Sequence, residues 1–66
     1  MIVTLSKSEV TCLGNTVNEK KQKLQIFESL CKHRKIDIQT DSDVYTLIGV
    51  EDKNELELIL KLTDEI

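Results

Sequence analysis

The sequence predicts an α+β fold: a two-layer sandwich with a four-stranded antiparallel sheet and two helices on one of its faces. Three observations lead there. Short runs rich in Ile, Val, Thr and Leu alternate with longer stretches of helical periodicity. Proline is absent, and the two glycines, Gly14 and Gly49, each precede one of the helical stretches. The two halves also read as a repeat. Ile2 aligns with Ile36, Ser6 with Thr40, Ser8 with Ser42, Glu9 with Asp43, Val10 with Val44 and Leu13 with Leu47. The chain thus reads as a single domain of duplicated ββα units, spanning 1–34 and 35–66.

In the first unit, residues 2–5 and 9–13 have strand-favouring composition, and Ser6-Lys7-Ser8 between them reads as a tight turn. Thr16 and Glu19 form a capping box that starts a helix. Leu24, Ile26, Phe27, Leu30 and Cys31 share one face of it, with Gln25, Glu28, Ser29 and Lys32 opposite. Lys32, His33, Arg34 and Lys35 crowd its C-terminal end, where cations complement the helix dipole.

In the second unit, residues 36–40 alternate apolar and polar, as a strand with one solvated face does. Asp41-Ser42-Asp43 is a turn, because short polar side chains satisfy turn backbone locally. Residues 44–50 make the most apolar strand. The last helix starts near Asp52, with Glu55 three positions on. Leu56, Ile59, Leu60 and Thr63 line one face. Leu58 and Leu62 widen the apolar surface beyond what one core face needs. Glu57 and Lys61 pair on the solvated side.

The expected strand order is 1-2-4-3. Strands 10–13 and 44–50 are central, and 2–5 and 36–40 are edges, the latter guarded by Asp37, Gln39 and Asp41. That arrangement is a permuted ferredoxin-like plait. The alternation in residues 2–5 allows either Ile2 and Thr4 or Val3 and Leu5 to face inward, and a one-residue slip exchanges the two sets.

Residues 9–66 resemble ACT domains, small ligand-sensing regulatory modules. The resemblance lies in a strand ending at Gly14-Asn15, then a helix, a hairpin and a second helix. It implies regulation by an amino acid or similar metabolite, with Gly14 and Asn15 in the ligand-binding turn. The family's closing strand has no counterpart before Ile66.

Composition narrows the function. A chain of 66 residues builds a small core that commonly needs a staple. Cys12 and Cys31 are not a disulfide framework and read as small core hydrophobes. One histidine, His33, with no Cys-x-x-Cys pair gives no metal site. Dimerisation is the staple left. The net charge of −3 and the lack of aromatic platforms other than Tyr45 argue against nucleic acid as a partner. No stretch approaches the ~20 apolar residues of a membrane span. Met1-Ile2-Val3-Thr4-Leu5 lacks the basic start of a signal peptide, so a cytoplasmic location is expected.

No catalytic constellation emerges. Cys31 and His33 are two apart on a helix and point away from each other. The carboxylates of Glu51, Asp52, Glu55, Glu57, Asp64 and Glu65 sit in caps and on solvated faces. No glycine-rich phosphate loop is present. The expected function is therefore a non-enzymatic protein-binding module, a small dimeric inhibitor or adaptor without cofactor. Its interface is expected at Leu58, Leu62 and Tyr45.

Overall fold

A computed structural model describes residues 1–66. The elements run β1 (Ile2–Ser6), α1 (Ser8–Thr11), α2 (Val17–His33), β2 (Asp37–Asp41), β3 (Val44–Ile48) and α3 (Lys53–Glu65). The sheet has three strands in the order β1-β3-β2, with β3 antiparallel to both neighbours. The fold is a small α+β architecture with one face of the sheet under the helices.

Local chemistry starts the two long helices in the same way. Thr16 accepts a hydrogen bond from the Glu19 N–H at 3.1 Å, and the Glu19 carboxylate accepts from the Asn15 N–H at 3.1 Å. Asp52 accepts from the Glu55 N–H at 2.9 Å, and Glu55 accepts from the Glu51 N–H at 2.9 Å. Each pair satisfies two backbone donors that a helix start leaves open. Helix α2 stops at Lys35, whose φ of 62° is left-handed. The Lys35 N–H reaches the Lys32 carbonyl, and the Ile36 N–H reaches Cys31. That double bond pattern is a Schellman ending, and it delivers Ile36 into the core.

The core joins Leu5, Val10, Phe27, Cys31, Ile36, Tyr45, Leu47, Val50 and Ile59. Val3 and Leu5 face the helices, while Ile2, Thr4 and Ser6 face solvent on the opposite side. This settles the register choice that alternation left open. Thr63 is also buried, with its hydroxyl donating to the Ile59 carbonyl at 2.8 Å.

Two expectations are corrected. The sheet is not four-stranded in the order 1-2-4-3 with two helices, so the permuted plait is not formed. Residues 9–13 are not a strand, because Ser8–Thr11 form α1. The first unit is therefore β-α-α, and only the second is ββα. The reason is tertiary. As a helix, residues 8–11 turn one side chain, Val10, fully into the core. Strand propensity at Val10 and Thr11 is too weak to resist that. Expected strands 36–40 and 44–50 are present as β2 and β3. The central position of β3 and the edge positions of β1 and β2 match the expected placement of 44–50, 2–5 and 36–40.

Candidate interaction surface

The face of the sheet turned away from the helices is bare. Three cross-strand rows cover it: Ile2, Ile48 and Asp37; Thr4, Thr46 and Gln39; Ser6, Val44 and Asp41. The rows grade from apolar and hydroxylated at β1 to acidic at β2. Ile2 is 68 % exposed, and Val44, Thr46 and Ile48 are half-buried. The sequence pattern hid which side chains line this face, because β3 is apolar on both sides and only its register tells them apart.

The second apolar surface lies on α3. Leu58 is 42 % exposed, and Leu62, one turn later on the same stripe, is half-buried. Both stand where helical periodicity places them. The third expected interface residue, Tyr45, does not lie on a surface. It is buried, its ring stacks on Phe27 at 5.6 Å, and its hydroxyl donates to Glu28 at 3.0 Å. Lys7 covers the ring from another side at 5.4 Å. Val3, Leu5 and Leu47 likewise face the helices rather than the bare side.

Gly14 and Asn15 have structural work. A Cβ at Gly14 would meet backbone atoms of Glu19 and Lys20 at 2.8 Å, so the glycine lets α1 pack against the start of α2. The Asn15 N–H is taken by Glu19. Of residues 9–13, which carried the ACT resemblance as a strand, 9–11 belong to α1 and 12–13 to the turn after it, and no pocket opens at this turn or elsewhere.

The potentially reactive groups are tied into packing. Cys31 is buried, and desolvation, followed by the charges of Glu28 and Glu55, pushes its thiol from 9.0 up to about 11. Burial first, and then the hydrogen bond to Glu28, raises the Tyr45 phenol as well. Cys12 is exposed, not a core hydrophobe; its thiol lies 3.3 Å from the Glu9 carbonyl. Arg34 pairs with Glu55 at 3.4 Å and ties the end of α2 to the start of α3. No group of three or more His, Cys, Asp or Glu side chains is placed to hold a metal ion. No helix is long and apolar enough to cross a membrane.

The chain matches no protein-family model, no curated protein and no solved structure.

Proposed function

We propose that this chain is a non-enzymatic protein-binding module, a small dimeric inhibitor or adaptor that acts by covering a surface of its partner. The observation that supports this reading is the apolar surface left outside the core. The helices cover one face of the sheet only. Ile2 and Ile48 remain on the other face, and Leu58 and Leu62 form a stripe on α3. Apolar groups left together in solvent are the usual mark of an interaction site. The side chains with chemical potential, by contrast, serve the fold. Glu19 and Glu55 cap helices, Glu28 holds Tyr45, and Cys31 fills the core.

Self-association is assigned to the Leu58–Leu62 stripe, which lies on the helix layer and leaves the bare sheet free for a partner. Light scattering over a dilution series tests it. A mass of twice 7.6 kDa, about 15 kDa, is expected. The Leu58→Ser, Leu62→Ser double variant is expected to run as a monomer with unchanged circular dichroism. A wild-type monomer at every concentration, or a double variant that stays dimeric, removes this assignment.

A further inference from the structure

We infer that two copies of this chain pack helix layer to helix layer about a two-fold axis running along the helices, so that α2 of each copy faces α3 of the other. The inference rests on the reading of the chain as a dimer through Leu58 and Leu62. It adds the orientation of the second copy, the part that α2 plays and the charges that select both.

The mutual placement of the two helices is the first observation. Near the start of α2, the Lys23 ammonium donates to the Thr63 carbonyl at 2.9 Å and to the Asp64 carbonyl at 3.2 Å. At the end of α2, Arg34 pairs at 3.4 Å with Glu55, which lies in the first turn of α3. The helices therefore lie side by side and antiparallel. The two ties also set their levels. Lys32 stands level with Glu57, and Lys21 stands level with the last turn of α3, which carries Asp64.

The second observation is what each helix turns outward, at about 100° per residue. On α2, Phe27 and Cys31 point into the core, and Lys23 and Arg34 mark the flank towards α3. The side opposite the core carries Asn18, Gln22, Gln25 and Ser29, all exposed and uncharged. Ile26 stands between that side and the α3 flank, half-buried but outside the core. Lys21 and Lys32 are exposed on the flank away from α3. On α3, Ile59 and Thr63 are buried, and Glu55 marks the flank towards α2. Leu58 and Leu62 lie between that flank and solvent, across the seam from Ile26. Glu57 and Asp64 are exposed on the flank away from α2. The outer surface thus runs from lysine, through amides and an apolar seam, to carboxylate. The two acids of α2 do not blur this gradient, because Glu19 caps the helix and Glu28 holds Tyr45.

The gradient chooses the occupant, because the surface carries its own complement. A second copy turned over about an axis along the seam lays its apolar seam on this one and its carboxylate flank on the lysine flank. Such an axis leaves levels unchanged. Lys32 then meets the partner's Glu57, Lys21 meets the partner's Asp64, and symmetry repeats both pairs. Lys61, which points outward from α3, meets the uncharged side of the partner's α2. An axis across the helices would stack α2 on α2 and α3 on α3, setting lysine against lysine and carboxylate against carboxylate, which is unfavourable. The bare sheet face has no such match, since its only charges are Asp37 and Asp41. The ion pairs stand at the rim, where charges fix register and orientation more than affinity. Ile26, Leu58 and Leu62 supply the apolar contact.

Charge reversal read by sedimentation equilibrium at low salt tests this. The Lys21→Glu, Lys32→Glu variant sets carboxylates against carboxylates, and the Glu57→Lys, Asp64→Lys variant sets lysines against lysines. Each alone is expected to self-associate about tenfold more weakly than the parent chain, with salt relieving the loss. An equimolar mixture of the two is expected to regain a mass near twice 7.6 kDa. All four positions are exposed, so the parent's circular dichroism is expected in both. If one variant does not fold, the other still reads the loss and its relief by salt. Ile26→Ser is expected to weaken the dimer as well. A dimer indifferent to both reversals overturns the inference, as does a mixture of folded variants that stays monomeric, or a dimer that Ile26→Ser leaves intact. The parent chain judges the dimer reading separately. Dimerisation that needs Leu58 and Leu62 but ignores the reversals removes this geometry alone, whereas a parent chain that is monomeric at every concentration removes the dimer and the geometry with it.

Discussion

Asp41-Ser42-Asp43 reverses the chain between β2 and β3, whereas Ser6-Lys7-Ser8 carries β1 into a helix. The two tripeptides follow similar apolar patterns, one residue out of step in the alignment that pairs Ser8 with Ser42. Their backbones differ in one respect. Ser42 takes φ 44°, the left-handed turn that matches strand twist in a tight hairpin. Lys7 stays right-handed at φ −58°, ψ −27°. Around it the Ser6 and Ser8 hydroxyls bond each other at 2.9 Å, and the Ser8 N–H lies 3.4 Å from the Ser6 hydroxyl. The next residues then close helical bonds, with the Val10 and Thr11 N–H groups both reaching the Lys7 carbonyl. Similar alternation therefore ends in a hairpin in one half and in α1 in the other. The consequence for the fold is direct: no hairpin partner forms beside β1, and its edge stays free.

The aligned glycines sharpen this comparison most. Gly14 is in close contact, and an added Cβ would fall 2.8 Å from backbone carbon and nitrogen of Glu19 and Lys20. Backbone cannot rotate aside as a side chain can, so α1 and α2 must separate. Gly14→Ala is expected to cost about 3 kcal/mol or more. Gly49 is a different case. Its φ of 97° suits glycine, but its nearest neighbour would be 3.8 Å away. Gly49→Ala is expected to cost about 1–2 kcal/mol from backbone strain alone. Urea denaturation of both variants measures the difference. Equal losses would mean that the two turns are equivalent after all.

A pH series probes the seam between the halves, where Phe27 and Cys31 of the first meet Tyr45 of the second. The Cys31 thiol is pushed from 9.0 to about 11. Below pH 9 the folded and unfolded chains both hold this proton, and its contribution to stability is complete. Between 9.0 and about 11 the unfolded thiol ionises while the folded one does not, so stability falls as pH rises. At about 1.4 kcal/mol per pKa unit the loss approaches about 2–3 kcal/mol. Tyr45, also raised, adds a loss of the same sign beginning above 10.0. Denaturation at pH 7 and through pH 9–11 should show this decline, and Cys31→Ala should remove the lower part of it. A flat profile in the parent protein would contradict a dry seam.

The sequence disclosed what is encoded within a few residues. Both capping pairs, the Asp41-Ser42-Asp43 turn and the exposure of Leu58 follow from short spacings and helical periodicity. Features decided by distant contacts were hidden. Whether Val3 or Thr4 faces inward depends on pairing with Leu47 and Thr46, not on β1 itself. Tyr45 read as a surface residue because its strand is apolar on both sides, and only the register puts it beneath the helices. Residues 9–13 read as a strand because Val10 and Thr11 are β-branched, yet one buried contact at Val10 outweighed that preference. With both helices expected on one side of the sheet, an open face followed, but which side chains line it was hidden for the same reason, since that is decided only once three strands are in register.

The smallest expected effect concerns what the halves do share. Thr16 and Asp52 each accept a bond from the N–H three residues on, at 3.1 and 2.9 Å, and in each case the following glutamate reaches back to the residue before the cap. Replacing either cap with alanine opens one backbone donor to water and removes one charge-free or charged acceptor, for a cost of about 1 kcal/mol. Asp52 also places a negative charge at the positive end of α3, so salt should erode its contribution, while that of Thr16 should not change. Urea denaturation of Thr16→Ala and Asp52→Ala at low and high ionic strength separates the two. Similar losses with different salt dependence would mean that the cap geometry is common to both halves and only its electrostatics differ. A loss at Thr16 near that of Gly14→Ala would instead mean that this cap helps to hold α1 against α2, and that the turn after α1, rather than the one before it, fixes the departure from a hairpin.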